Sequence, residues 1–501
     1  MKLARETEFF WTNLCRLRHD SAVTLQAQIR ESVVQAILDR RLLPGAPMPA
    51  TRTLARVLGV SRNTMLLAYE RLVEEGYLAS EARSGHSVGV QGAAAAGQVG
   101  APPALQGLAQ FDWAAHLRPS LADLPQLYKP QDWQRYPYPF VFGQFDATLF
   151  PASDWREASQ LAMRKMAVRD WAGDSTDRDD TLLIRQIQAR VLRRRGISVS
   201  PDEILITLGA QHAMFLVGGL MFRHARCVGL EDPGYPDLKN LCRFFSVPMR
   251  GVAMGPGFGA KLDGCDYVFV CPSHQNPSGR TMSLMERIEL LQAATRSNFI
   301  VVEDDYDSEL SFEGGSTPSI KALDTSGRVI YIGSLSKTVA AGLRIGYLVA
   351  PAALIREARV LRRLMLRHPP ANNQRTAALF LSLGHYDALL PRLVKAYRER
   401  AQILCHALAR HMPQVEFEPP RGGSALWLRA PDGVDMGTVR ERARAEGVLF
   451  DAGADFYLAA KAPRNYFRLG YSSIAAEQIE PGIRVLAGCL REVMAQGPRK
   501  R

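Results

Sequence analysis

The chain has 501 residues, 47% hydrophobic and 22% charged, with a formal net charge of +12. That is normal globular usage with enough apolar residues for a sizeable core, and the length points to two or three units. The basic balance favours polyanionic partners without proving one, because Lys and Arg are spread along the whole chain. Cys15, Cys227, Cys242, Cys265, Cys271, Cys405 and Cys489 form no CxxC pair. This spacing speaks for reduced thiols in a cytoplasmic protein, against a disulfide frame or a zinc site. The opening "MKLARETEFFWTNL" has acidic residues and lacks a long apolar stretch, so it does not read as a secretory signal.

In the first regime, residues 1–90, "TRTLARVLG" and "SRNTMLLAYERLVEEG" predict two helices joined by Gly59 and Val60. Ser61 is a good N-cap for the second. Met65, Tyr69, Leu72 and Val73 recur at the spacing of one buried helix face, and Gly76 suits a left-handed stop. Tyr77 and Leu78, with Ser84, Gly85 and His86, predict a small β-wing. The exposed start of such a second helix is the part that meets base edges in a major groove. Here it carries Ser61, Arg62, Asn63 and Thr64, a set suited to base or phosphate contacts, with Arg52 and Arg56 on the preceding helix placed to hold the DNA backbone.

Residues 91–135 begin as "QGAAAAGQVGAPPALQGLAQ", nearly free of charge and rich in Gly, Ala and Pro, and read as a flexible linker. From 136 to 501, short apolar runs alternate with helical patterns. The longest apolar run, Ile204 to Phe222, is broken by Gln211 and His212 and reads as a buried helix rather than a membrane span. "CDYVFVCP", "NFIVVEDD" and "RVIYIGS" read as strands, so an α/β fold with a mostly parallel sheet and crossover helices is expected. Asn276, Asp304 and Ser334 each fall just past such a strand, at the edge where open α/β sheets bind ligands.

That edge carries the parts needed to hold pyridoxal phosphate. Lys337 is the candidate Schiff-base lysine. Asp304 would keep the ring nitrogen protonated, because a nearby anion favours the charged form. Tyr306 and Asn276 are donors for the ring oxygen, and Tyr235 is placed to stack on the ring. Ser334, Ser336 and Arg344 offer hydroxyls and a cation to the phosphate. In "TLGAQHAM", Gly209, Ala210 and Gln211 sit at a strand-to-helix turn whose free backbone N–H groups suit the same phosphate.

The stretch from Leu25 to Leu78, with "LPG", "TRTLA", "GVSRNT", "YERL" and "GY", resembles the winged helix-turn-helix of the GntR family. It departs from that pattern at Pro49-Ala50 and in the wing. Residues 136–501 resemble a fold-type I aminotransferase domain. The fusion resembles the MocR/GabR-type regulators, through "PSHQNPSG", "EDDYDSE", "SLSK" and "GLRIGY". The resemblance implies a transcriptional regulator that binds operator DNA as a head-to-tail homodimer, with no membrane partner. Its pyridoxal-phosphate domain would sense an amino acid or related amine through aldimine exchange, and Arg468 matches the arginine that grips an amino acid carboxylate. The alternative is an active aminotransferase with a DNA-binding appendage. Relatives carry Tyr and Gly where this chain has Ser175 and Asp180, a departure that speaks against a cross-subunit phosphate contact and against efficient transamination. Pro236 and Asp237 follow Tyr235, so no basic residue stands immediately beyond it.

Overall fold

A computed structural model of the chain describes residues 10–81, 85–89, 112–117, 120–313, 317–459 and 461–496, apart from positions 19, 22 and 128. Ser84 of the wing and the linker sequence from 90 to 111 lie outside the described residues. The chain divides into two units, Met1–Arg118 and Pro119–Arg501.

The first unit holds α1 (Leu25–Leu38), β1 (Pro47–Met48), α2 (Thr51–Val57), α3 (Arg62–Glu74), β2 (Leu78–Glu81) and β3 (Gly85–Val88), with the strands in the order β1-β3-β2. Gly59 (φ +66°) makes the turn between α2 and α3, and Gly76 (φ +77°) follows the end of α3. Ser61 Oγ accepts from Thr64 N at 3.0 Å, the expected N-cap. The buried face of α3 is Met65, Ala68, Tyr69 and Leu72; Val73 is only half-buried, and Ala68 completes the stripe. Tyr69 donates to Pro49 O at 2.9 Å, and its ring meets His86 of β3 edge-on at 5.0 Å. These contacts fix the wing against the helix.

In the second unit the apolar runs form a seven-stranded sheet. Its strands are β4 (Ile204–Thr207), β5 (Val228–Glu231), β6 (Met249–Val252), β7 (Tyr267–Val270), β8 (Ile300–Asp305), β9 (Val329–Ser334) and β10 (Gly346–Val349). The order is β4-β10-β9-β8-β7-β5-β6, and only β10 runs antiparallel to its neighbours. Alternate side chains enter different cores: Leu205, Ile330, Ile332 and Leu348 join one cluster, while Ile204, Ile206, Tyr331 and Tyr347 join another. Both faces are therefore covered, which is why these strands read as continuous apolar runs rather than alternating ones. The run from Ile204 to Phe222 is not one helix. Gly209 (φ +80°) ends β4 and opens α4 (Ala210–Met221), since no side chain hinders that backbone.

A four-stranded antiparallel sheet follows, with β11 (Glu416–Phe417), β12 (Ala425–Arg429), β13 (Asp451–Ala452) and β14 (Tyr466–Gly470) in the order β11-β12-β14-β13. Residues 120–135, grouped with the linker on composition, belong with the second unit. Asn240 Nδ2 donates to Pro125 O at 2.7 Å, which ties this segment down. Among the described residues no helix is long and apolar enough to cross a membrane.

Candidate functional site

A cavity of about 300 Å³ opens at the carboxyl ends of β8 and β9 and the N-terminal end of α4. Its lining includes Lys337, Asp304, Tyr306, Asn276, Tyr235, Ala210, Gln211, Ser334, Ser336, Arg344 and Arg468; Gly209, also expected at the phosphate turn, is not among the lining residues. The sheet does this: in the parallel pairing of β8 and β9, Asp304 stands opposite Ile332, two residues before Ser334.

Several of these groups lack partners. Asp304 Oδ1 and Ser336 Oγ are buried without a hydrogen bond. Buried polar atoms are normally paired, so both are open to a ligand. Burial pushes the Asp304 carboxyl up to about 8, reinforced by the charge of Asp305; Cys271 Sγ donates to its Oδ2 at 3.6 Å and opposes the shift. Burial pulls the Lys337 amine down to about 8, against the attraction of Asp307. Lys337 Nζ donates to Gly143 O at 3.4 Å and lies 4.7 Å from the centre of the Phe142 ring. Gly143 has φ +75°, and a Cβ there would come within 2.5 Å of Nζ.

The other groups are set by their neighbours. Arg344 Nη2 donates to Leu208 O at 2.6 Å, which holds the guanidinium beside the uncapped start of α4. Ser334 Oγ accepts from Ser336 N at 3.1 Å. Tyr306 donates to His274 O at 3.0 Å, and Tyr235 hydrogen-bonds Gln211 and Asp237. Arg468 is buried and already engaged: Nη2 reaches Asp451 Oδ2 at 2.8 Å and Nη1 reaches Asn276 Oδ1 at 2.8 Å.

Sequence reasoning missed Phe142, Gly143, Lys129 and Asp451, all of which line the cavity. They come from distant segments with no local motif. For Asp451 the available signal was register: it stands directly opposite Arg468 between β13 and β14. Ser175 and Asp180 are not in this cavity; they border a separate one with Arg375 and His368. Asp180 caps the helix Thr181–Gln186 through Leu183 N and pairs with Arg375 at 2.7 Å, a role glycine could not fill.

In the first unit, Ser61, Arg62 and Asn63 are exposed at the start of α3, Thr64 is half-exposed, and Arg52 is exposed on α2. Ser61 and Thr64 are engaged with each other in the cap, their hydroxyls 2.8 Å apart. Among the described residues the side chains of Arg52, Arg62 and Asn63 make no hydrogen bond or ion pair, which leaves their donors available. Arg62→Ala is expected to weaken operator binding and flatten the log–log salt dependence by about one unit. Affinity unchanged across several salt concentrations would remove Arg62 from the interface.

Residues 145–486 match the aminotransferase class I and II family, and residues 25–88 match the bacterial regulatory proteins of the gntR family. The chain is 40% identical over 474 residues to the HTH-type transcriptional regulator TauR of Rhodobacter capsulatus, covering 93% of this chain and 97% of that protein. It is 27% identical over 500 residues to the probable rhizopine catabolism regulatory protein MocR of Rhizobium meliloti, covering 96% and 97%. The chain belongs to the MocR-type transcriptional regulators. A GntR-type DNA-binding domain is fused in it to an aminotransferase-like domain, and the regulator reading is favoured over a plain aminotransferase. Among solved structures, the second unit is similar to the α-aminoadipate aminotransferase LysN of Thermus thermophilus, complexed there with N-(5'-phosphopyridoxyl)-L-leucine. The TM-score is 0.69 at 28% identity, over 76% of this chain and 99% of that one. The kynurenine aminotransferase of Pyrococcus horikoshii, in complex with PMP, is similar with a TM-score of 0.66 at 29% identity, over 70% and 90%.

Proposed function

We propose that this regulator holds pyridoxal phosphate at Lys337 and uses it to sense a primary amine, so that the amine alters how residues 1–90 bind operator DNA. The observation that carries the reading is the set of open groups sharing one cavity with the lysine: Asp304 Oδ1 and Ser336 Oγ lack partners, and the start of α4 has no side-chain cap. These fit the cofactor's chemistry. Asp304 would accept from the ring nitrogen, and a cation there would draw its proton off again. Ser334, Ser336, Arg344 and the N–H groups of Ala210 and Gln211 would hold the phosphate. Tyr235 and Asn276 would border the ring. When bound, the cofactor supplies an aldehyde that condenses reversibly with primary amines.

Lys337 then has two tasks, to anchor the cofactor and to yield its place to the incoming amine. Its lowered basicity serves both, because only the neutral amine is a nucleophile. Cofactor uptake by the empty protein is expected to accelerate about tenfold per pH unit below pH 8 and to level off above it. Stopped-flow absorbance across pH 6–10 checks this; a rise continuing to pH 10 would mean an ordinary, unburied lysine.

On this basis the protein is a cytoplasmic head-to-tail homodimer, with residues 136–501 as the effector domain, residues 120–135 packed with it and the rest of the linker upstream. The MocR-type architecture supports sensing over turnover, and so do Ser175 and Asp180. The experiment is to add pyridoxal phosphate to the purified protein, reduce with borohydride and map the adduct. Primary amines are then titrated into unreduced protein while visible absorbance and operator affinity are followed.

A further inference from the structure

Arg468 is 1% exposed, and its fork is occupied by a carboxylate of its own chain. Nε and Nη2 both donate to Asp451 Oδ2, at 3.0 and 2.8 Å, while Nη1 donates to Asn276 Oδ1 at 2.8 Å. The guanidinium carbon lies 3.9 Å from the centre of the Phe142 ring and 4.5 Å from that of Phe456. The two rings restrict its movement. Asp451 and Arg468 are cross-strand partners in the antiparallel ladder of β13 and β14, so backbone register sets the pair, not a chance rotamer.

Asp451 also lines the cavity that holds Lys337. A carboxylate arriving at Arg468 would meet a guanidinium whose charge is already matched, with a second carboxylate in contact. Like charges repel strongly where little water screens them. Displacing Asp451 would not help, because its charge would then be buried and unpaired. Leu127, Val141, Phe142 and Met214 line the same cavity, so an uncharged substituent finds apolar walls.

We propose that Asp451 sets the class of effector: the cavity takes a primary amine whose amine-bearing carbon carries no carboxylate, and it disfavours α-amino acids. This rests on the reading that pyridoxal phosphate is held at Lys337. The arginine is then a wall held in place by Asp451 and Asn276, not a free carboxylate receptor.

The test uses the full-length protein loaded with pyridoxal phosphate and two probes of one carbon skeleton, L-alanine and L-alaninamide, titrated by visible absorbance. L-alaninamide is expected to bind about tenfold tighter or more. Asp451→Asn keeps an oxygen for Arg468 and removes the charge. It is expected to tighten L-alanine by about tenfold and to leave L-alaninamide nearly unchanged. Wild-type protein that binds L-alanine as tightly as L-alaninamide, or more tightly, would overturn the assignment. That comparison needs no variant, so it stands even if Asp451→Asn misfolds, with both affinities expressed per neutral amine because the amide's amine is the less basic. Protein that never acquires the cofactor at Lys337 would overturn the underlying reading instead. Normal uptake with a preference for L-alanine would overturn only the role of Asp451.

Discussion

Lys337→Ala is expected to abolish the covalent cofactor altogether: no borohydride-trapped adduct, and no visible band from attached pyridoxal phosphate. Lys129 also lines the cavity, but its amine sits over the Trp133 ring at 5.6 Å, whereas the Lys337 amine sits between Gly143 O and the faces of Phe142 and Tyr306. Asp304, Ser334, Ser336 and Arg344 remain, so loose, non-covalent binding should persist and dialyse away. Operator binding by residues 1–90 should survive, because α3 and its cap share no residue with the cavity. Mass spectrometry of the reduced variant decides the point. A covalent, reducible cofactor on another lysine would show that the site is misassigned.

Arg195→Met is expected to destabilise the second unit strongly. Arg195 Nε donates to Asp305 Oδ2 at 2.7 Å, and both side chains are almost fully buried. Burial works against the Asp305 carboxylate, yet Arg195, Ser273 and Tyr331 together hold it below the usual aspartate range. Without the guanidinium the burial cost is uncompensated. Removing one partner of such a pair costs about 3–5 kcal/mol. Glu303 and Asp304 immediately precede Asp305 on the same strand, so the loss spreads directly into the cavity. Chemical denaturation followed in the second unit should show the transition at clearly lower denaturant, and pyridoxal phosphate should bind more weakly. An unchanged midpoint with unchanged cofactor affinity would show that the pair is dispensable.

The linkage for Asp305 has a definite sign. Its folded pKa lies below the ordinary value, so its contribution is present above the unfolded aspartate pKa and fades as pH falls through the folded one. The Arg195→Met penalty should therefore be largest near neutral pH and shrink in acid.

Local features of the fold were legible because their causes are local. Ser61 caps α3 through the next turn's N–H, and Gly76 needs only its own positive φ. Asp304 and Ser334 were found because a strand end is visible as the end of an apolar run. By composition the run from Ile204 to Phe222 read as one buried helix because β4 and α4 are both buried, although the turn at Gly209 to Gln211 was legible within it. Gly209 was the signal that separates the two. Phe142, Gly143 and Lys129 reach the cavity from upstream segments, and nothing in their own sequence windows announces a site. Asp451 is the sharpest case. Alone it is an ordinary strand aspartate, and only the pairing of β13 with β14 sets it against Arg468, seventeen residues on. The resemblance marked that arginine as a carboxylate receptor, whereas the register shows the carboxylate already supplied.

On the proposed function, an amine bound in the Lys337 cavity is read out as a change in DNA binding. An effector acts only by favouring one of two states, and a tenfold preference corresponds to about 1.4 kcal/mol, well within reach of a titration. The most direct measurement is operator affinity of the loaded full-length protein, on DNA selected in vitro, with and without saturating primary amine. Wild type and Lys337→Ala should be run side by side. Operator affinity is expected to change about tenfold or more in wild type and not at all in Lys337→Ala. Rapid multiple-turnover amino transfer with operator affinity unmoved by the amine would contradict the proposed function and make the protein an enzyme that happens to bind DNA.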